Sequence, residues 1–181
     1  FSSLFLALVT PEGKWEHHDG VIRIVDAEGA IVADHLDPRA YLDYIAEASH
    51  KSSYLKSPYY RPAVAKDEIL TPDSPGMYRV GPLARLNVCD QMGTPLADVE
   101  LREFRDQFGR VPLSSFHFHQ ARLIEILASL EAVESLLQDP DITSTKLRAD
   151  AGINQLRGVG VSEAPRGTLF HDYSVDENGL V

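Results

Sequence analysis

The stretch Glu163-Ala-Pro-Arg-Gly-Thr-Leu-Phe-His171 is the most informative part of this chain. Pro165 fixes its own φ angle and biases Ala164 toward extended backbone, while Gly167 permits backbone angles that other residues avoid. Arg166 lies between these residues, so we expect its charged side chain on a corner with little backbone freedom. A cation mounted in this way is typical of a site where one donor must meet one ligand atom.

Turn residues that separate short apolar runs predict a β-meander over residues 1–36. Segments rich in glycine, aspartate and proline separate apolar runs that are short enough to be strands. These runs are Leu4–Val9, Val21–Val25 and Ala30–Val32. Asp37 and Pro38 then combine an N-cap with a first-turn proline, which predicts a helix over residues 37–50.

The middle of the chain contains one irregular region and one strong helical pattern. Several prolines and tyrosines favour an irregular excursion over residues 51–112, with a short helix near residues 97–107. A broad apolar face within residues 113–140 then predicts a long core helix over about residues 116–138.

The last part of the chain, residues 156–181, returns to extended structure. It carries the glutamate–alanine–proline–arginine–glycine loop and then a C-terminal β-hairpin, which we expect to turn at Asp176–Gly179. The elements together predict an α+β fold. Both ends of the chain fall within strand-like sequence, so we expect residues 1–181 to be an internal part of one domain in a longer polypeptide.

Composition excludes several classes of protein. The chain has 181 residues, a formal net charge of −10 and a pI near 5.1, so it lacks the clustered lysine and arginine of nucleic-acid-binding proteins. No run of about 18 apolar residues occurs, and no membrane span is expected. The single cysteine, Cys89, excludes an internal disulfide and fits a reducing compartment.

Two arginines are candidates for special roles. From spacing alone, Arg166 fits a functional cation and an arginine paired with Glu163 or Asp172 about equally well. Arg85 is flanked by leucines, which favours pairing with a carboxylate over an interface role. Cys89 has no second cysteine near it, so a small buried hydrophobic residue is the favoured interpretation.

Two further polar pairs favour ordinary structural roles. His17 and His18 lie between turn sequences, where a solvated loop is the favoured interpretation. Arg122 and Glu125 are three positions apart on the predicted core helix and should form a surface ion pair.

Several stretches of the chain resemble the large subunits of nickel–iron hydrogenases. The segment Gly158-Val-Gly-Val-Ser-Glu-Ala-Pro-Arg-Gly-Thr-Leu-Phe-His-Asp-Tyr173 contains a signature that is highly specific for this family. Asp172 departs from the pattern, since the matching branch reads Phe-His-His-Tyr there. Three further stretches resemble the soluble, cytoplasmic, pyridine-nucleotide-linked branch, and within it the NAD-reducing hydrogenases: Tyr54-Leu-Lys-Ser-Pro-Tyr-Tyr60, Val80-Gly-Pro-Leu-Ala-Arg-Leu-Asn87 and His119-Gln-Ala-Arg-Leu-Ile-Glu125.

The resemblance implies reversible splitting of dihydrogen into protons and electrons, coupled to NAD reduction in the cytoplasm. The family's nickel–iron centre carries carbon monoxide and cyanide and is held by two Cys-x-x-Cys motifs, which this chain lacks. The metal ligands would therefore lie outside this chain, and the chain alone would be inactive. The implied partners are diaphorase subunits and an iron–sulfur small subunit, which would carry the iron–sulfur clusters, FMN and NAD.

The resemblance also implies roles for individual residues. Arg166 would donate to a cyanide ligand and lie beside the open coordination position as the catalytic cation. Glu163 and His171 would support its loop. The residues implied to pack around the diatomic ligands, as an apolar wall, are Ala164, Pro165 and Leu169.

Three alternatives to this hypothesis remain open. The chain could be a self-contained domain that binds a protein or a small ligand through its hairpins and its tyrosine-rich excursion. It could belong to another cytoplasmic hydrogenase subgroup with a different electron acceptor. It could also belong to the related subunit of respiratory complex I, although the intact glutamate–alanine–proline–arginine–glycine run argues against that.

Overall fold

The fold is built around a four-stranded sheet and three α-helices. A computed structural model describes residues 3–66, 69–146, 148 and 155–181. The strands are β1 Leu4–Val9, β2 Val21–Val25, β3 Ile31–Leu36, β4 Ile45–His50, β5 Ser53–Tyr60, β6 Tyr78–Arg79, β7 Arg157–Ala164 and β8 Gly167–Ser174. The α-helices are α1 Pro82–Val88, α2 Pro95–Phe108 and α3 Phe118–Leu136. Short 3₁₀ segments cover Pro38–Asp43, Arg61–Ala63, Ser115–His117 and Pro140–Thr143.

Strand β1 is the centre of the molecule. The sheet order is β3-β2-β1-β6, with β1 antiparallel to β2 and parallel to β6. All six residues of β1 are buried, because successive side chains enter two different hydrophobic clusters. Phe5, Ala7 and Val9 pack with α1, α2 and α3, and the alternating leucines pack with β2, β4 and the β7–β8 hairpin. The predicted β-meander is present as β1, β2 and β3.

The prediction of a helix over residues 37–50 is wrong after its first turns. Asp37 does act as an N-cap, since its side chain accepts a hydrogen bond from the backbone of Arg39 at 2.9 Å. The segment is a 3₁₀ helix that ends at Asp43, and β4 follows. Pairing between β4 and β5 decides this, because it satisfies the strand backbones and buries Ile45 opposite Tyr60.

The region predicted as irregular, residues 51–112, contains more regular structure than its prolines indicate. Its first part contributes strand β5 to the β4–β5 hairpin, and the predicted short helix is present as α2. Helix α1 is present in the structure but is not predicted from the sequence. All seven of its residues are buried, including the polar residues Arg85 and Asn87.

Helix α3 falls within the predicted core helix, but it is buried on one side only. The buried positions are Ala121, Ile124, Glu125 and Ala128. A second apolar stripe faces outward, formed by Leu123, Ile126, Leu130, Val133, Leu136 and Leu137, each at least 49% exposed. We call this stripe the α3 outer face.

The C-terminal hairpin lies earlier in the sequence than predicted. Strands β7 and β8 pair in continuous register from Arg157 opposite Ser174 to Ala164 opposite Gly167. The expected turn at Asp176–Gly179 is present as a turn, but residues 180–181 form no return strand. The hairpin therefore turns at the proline–arginine pair, and the arginine lies at its tip. The end of the loop before β7, residues 149–154, lies outside the described residues.

Candidate functional site

Arg166 lies at the tip of the β7–β8 hairpin. Because Ala164 pairs with Gly167, the turn consists of Pro165 and Arg166, and both are exposed. The carboxylates predicted as alternative partners are engaged elsewhere, since Glu163 pairs with Arg85 and Asp172 pairs with Arg157. Among the described residues, nothing forms a hydrogen bond or ion pair with the Arg166 guanidinium. The structure thus leaves the charge of this residue available to a ligand.

Two glycines allow the hairpin tip to pack closely against the start of α1. Gly81, with φ 96°, precedes α1, and a Cβ atom there would lie only 2.9 Å from the carbonyl oxygen of Arg166. Gly167 has φ 153°, and a Cβ atom there would overlap the side chain of Val80. The close approach requires glycine on both sides. It produces the constrained corner that the sequence predicts around Arg166.

A buried ion network lies directly behind the tip. Arg85 on α1 donates through Nε and Nη2 to both carboxylate oxygens of Glu125 on α3, with 2.9 Å between Nη2 and Oε2. Its Nη1 donates to Oε2 of Glu163 and to the carbonyl oxygen of Ala164, each at 2.9 Å. The side chains of Arg85, Glu125 and Glu163 are 3%, 10% and 0% exposed. The prediction that Arg85 pairs with a carboxylate is confirmed; we call these three residues the triad.

Glu163 joins the triad to the rest of the fold. Its Oε1 accepts hydrogen bonds from the backbone of Leu8 at 2.9 Å and from the hydroxyl of Thr168 at 2.8 Å. Its own backbone N–H donates to the carbonyl of His17 at 2.8 Å. Burial lowers the pKa of Arg85, but the hydrogen bonds and charges of the two glutamates outweigh it and raise that pKa. The Arg85 guanidinium therefore stays charged.

A cavity of about 380 Å³ opens beside the triad, between α3, the β1–β2 connection and the hairpin tip. Its walls include Trp15, His17, Arg122, Ile126, Ala164 and Pro165. The predicted surface pair of Arg122 and Glu125 is wrong, because Glu125 points inward. There it binds Arg85 and accepts a hydrogen bond from the indole of Trp15 at 3.2 Å.

His17 contributes a buried nitrogen to this region. Its Nε2 atom is buried and has no hydrogen-bond partner among the described residues. Its ring packs edge-on against Trp15, with 4.2 Å between the ring centroids. Burial and the nearby positive charge of Arg85 lower the pKa of His17. The interpretation as a solvated loop is therefore wrong for His17, although His18 is exposed.

The lowered pKa of His17 predicts how stability depends on pH. Unfolding releases an imidazole that binds protons more readily, so the contribution of neutral His17 is present above about pH 6.5 and lost as the pH falls. We expect His17→Gln to lose less stability than the wild type between about pH 7 and about pH 5. Chemical denaturation at several pH values measures this difference. Ser129→Ala is the control, because it changes the same cavity wall without removing a titratable group, and it should keep the pH dependence of the wild type. Equal pH dependence of stability in the wild type and in His17→Gln would contradict the prediction.

The structure separates the residues implied as an apolar wall. Ala164 and Pro165 line the cavity together. Leu169 lies on the outward face of β8 and is 46% exposed, and the exposed His171 is on the same face, stacked on Tyr173. Leu169 therefore does not reach this cavity, and His171 does not contact the triad.

Asp172 has a structural role that explains the departure at this position. It accepts two hydrogen bonds from Arg157, at 2.9 and 2.6 Å, and one from the hydroxyl of Tyr41 at 3.1 Å. The hydrogen bond with Arg157 lowers the pKa of Asp172. An aspartate at this position thus ties both strands of the hairpin to the 3₁₀ segment that carries Tyr41.

The described residues do not form a metal site of their own. Within them, no group of three or more histidine, cysteine, aspartate or glutamate side chains could hold a metal ion. The free thiol of Cys89 is buried, which raises its pKa to about 11. Iron–sulfur clusters require several thiolates, so this chain does not fit as the ligand of a cluster or of a nickel–iron centre. Over the same residues, no helix has the length and apolar character needed to cross a bilayer.

The known proteins that are similar in sequence to this chain are hydrogenase subunits. The chain is 43% identical over 177 residues to the vhu-encoded A component of the F420-non-reducing hydrogenase of Methanococcus voltae, covering 98% of this chain and 40% of that protein. It resembles hydrogenase subunits. The beta component of the NAD-reducing hydrogenase HoxS of Cupriavidus necator is 38% identical over 182 residues, covering 99% of this chain and 36% of the relative. No protein-family model matches the chain.

A solved structure supports the same relationship. A chain in the crystal structure of an NAD⁺-reducing [NiFe]-hydrogenase in the H₂-reduced state superimposes with a TM-score of 0.87 and 41% identity. The match covers 99% of this chain and 38% of that chain. The present chain therefore spans between 34% and 40% of the length of the relatives it matches.

The names of the relatives correct one part of the sequence-based hypothesis. The relative from Archaeoglobus profundus, 39% identical over 178 residues, is called an iron–sulfur subunit. That name contradicts the prediction of a nickel-containing large, catalytic subunit, which is corrected to the coarser statement that the chain resembles a hydrogenase subunit. The large-subunit fold is likewise not supported; the structural match supports a mixed α/β domain of a hydrogenase subunit. The alternative of a self-contained binding domain fits no better.

Sequence reasoning missed three residues of the site. Trp15, His17 and Glu125 meet the hairpin tip only after folding, and the local sequence around each indicates an ordinary role or none. A partial signal existed for Glu125, because it lies on the same side of α3 as the buried residues Ala121 and Ala128. A carboxylate on that side requires a buried cation.

Proposed function

We propose that this chain is part of a subunit of a multi-subunit hydrogenase, in which the β7–β8 tip faces a metal cofactor that other residues of the assembly hold. The observation that carries the proposal is the exposed Arg166 guanidinium on a tip that is fixed from behind by the triad and by Gly81. The sequence similarity to hydrogenase subunits extends over nearly the whole chain and supports it.

The chemistry of arginine explains what the tip would contribute. A guanidinium keeps its charge and offers several N–H donors in a fixed plane, which suits an anionic group bound to a metal. The metal cofactor would supply the splitting of dihydrogen into protons and electrons. Arg166 would place a positive charge beside it, and Ala164 and Pro165 would keep water from one side.

The remaining cofactors are assigned to other parts of the assembly. We propose a nickel–iron centre with carbon monoxide and cyanide ligands, iron–sulfur clusters, and FMN and NAD on diaphorase-type partners, with dihydrogen as substrate in the cytoplasm. The name of the Cupriavidus necator relative supports NAD as electron acceptor. Within the described residues, no group of three or more histidine, cysteine, aspartate or glutamate side chains could hold the metals of this set.

The α3 outer face supports membership in a larger assembly. Its six apolar side chains form a continuous exposed stripe along the helix, and exposed apolar stripes of this kind are usually covered by another protein surface. Over residues 121–128, the opposite side of α3 is already packed inside the chain. The stripe is therefore available for contact with another part of the hydrogenase.

Isolation of the assembly tests the proposal directly. A tagged form of the protein, recovered from its native host, should carry nickel and iron and reduce an artificial dye with H₂. Leu130→Asp should lower the recovery of the other subunits about tenfold, since it places a charge in the α3 outer face. Ser135→Asp puts the same charge on the other side of the helix and should assemble normally. A wild-type preparation without metal or H₂-dependent activity would overturn the proposed function.

A further inference from the structure

Helix α1 and the glycine that precedes it contact the hairpin tip at two points that are four residues apart. Gly81 lies against the backbone of Arg166, and Arg85 donates to the carbonyl oxygen of Ala164. Residues four positions apart lie on the same side of a helix. The segment from Gly81 to Arg85 therefore touches the tip on both sides of Pro165.

The N–H donors of Arg85 reach more groups than an ion pair with one carboxylate would require. Two of its nitrogens bind Glu125, which fixes the plane of the guanidinium relative to α3. The third nitrogen bridges the side chain of Glu163 and the carbonyl of Ala164. One rigid group thus connects α3 with two consecutive residues of β7. A lysine could not make these contacts together, because its ammonium is a single point.

We propose that Arg85 is the positioning residue of the tip: it fixes the direction in which Arg166 projects. The carbonyl that it holds belongs to the residue before Pro165, whose φ angle is restricted. A displacement of the Ala164 backbone would therefore displace Arg166 by a similar distance. The effect on turnover rests on the proposed function, whereas the effect on the tip does not.

Amide hydrogen exchange tests the structural part in the isolated assembly. In Arg85→Lys we expect exchange of the backbone amides of Ala164 and of residues 166–168 to rise about tenfold, because hydrogen bonds to the tip are lost. The β4–β5 hairpin should exchange as in the wild type. Arg105→Lys is the matched control, since Arg105 is another arginine that donates to backbone carbonyls, at Leu86 and Cys89, away from the tip.

A second variant keeps this test informative if Arg85→Lys fails to fold. Thr168→Val removes only the hydroxyl that donates to Glu163, and it should raise exchange at the tip in the same direction by a smaller factor. Unchanged exchange at the tip in the folded variants, or an equal rise across the whole chain, would overturn the positioning role.

A double-mutant cycle tests the link to function. We expect Arg85→Lys to lower H₂-dependent dye reduction about tenfold when Arg166 is present, and by less than about twofold in the Arg166→Lys background. Equal factors in both backgrounds would show that Arg85 does not act through Arg166. Faster exchange at the tip with wild-type activity in every variant would support the positioning of the tip and overturn the proposed function of Arg166.

Discussion

Replacing Arg166 with lysine should lower H₂-dependent dye reduction by the assembled enzyme about 100-fold, with its metal content retained. Lysine keeps the positive charge but replaces a planar set of donors with a single ammonium. The backbone of residue 166 is held between Gly81 and Gly167, so the tip cannot move to compensate. Steady-state rates and elemental analysis of the same preparations measure the effect.

Arg102→Lys provides the control for this experiment. Arg102 is an exposed arginine on α2, and its replacement should leave the rate within about twofold of the wild type. A wild-type rate in Arg166→Lys, with full metal content, would show that the guanidinium takes no part in the reaction. Loss of metal in that variant would instead make Arg166 a residue needed for assembly of the cofactor.

Replacing Arg85 with methionine should have the largest effect on stability. The change leaves the buried carboxylates of Glu125 and Glu163 without their shared cation. Removing one partner from a buried ion pair costs about 3–5 kcal/mol of unfolding free energy. Denaturant unfolding, followed by fluorescence of Trp15, would measure the loss. Trp15 suits this purpose because its indole contacts the triad through Glu125.

Arg157→Met separates this effect from a general loss of charge. Arg157 also forms a salt bridge, with Asp172, but its side chain is 54% exposed. Exposed ion pairs contribute little to the free energy of unfolding, because water and salt screen their charges, so this variant should unfold near the wild-type denaturant concentration. Similar losses in the two variants would show that the triad is no more important for stability than a surface pair.

Local sequence predicted much of the framework of this fold. The apolar run Leu4–Val9 predicts a buried strand because it contains no polar residue, and it is the central strand. Asp37 followed by Pro38 predicts a helix start, and Asp37 does cap the segment. The same signal could not predict where the helix ends, because that depends on pairing of β4 with β5.

In the candidate site too, local sequence predicts some features and tertiary contacts decide the others. The proline, arginine and glycine at positions 165–167 predict a constrained corner, since their φ preferences are properties of single residues. The position of Arg85 among leucines favours pairing with a carboxylate over an interface role. Its actual partners lie 40 and 78 positions away along the chain. Local pattern contains no information on which of many glutamates would meet it.

By itself, then, the sequence determined the strands of the meander, the restricted backbone around Arg166 and the requirement of Arg85 for a counter-charge, because each follows from residues within a few positions. Only the tertiary structure decided that Glu125 and Glu163 share that arginine, that the Nε2 atom of His17 is buried in the same region, and that the hairpin turns at Arg166. These features depend on contacts such as that between Leu8 and Glu163, which are 155 positions apart. Contacts at that distance form only when the whole chain packs around β1.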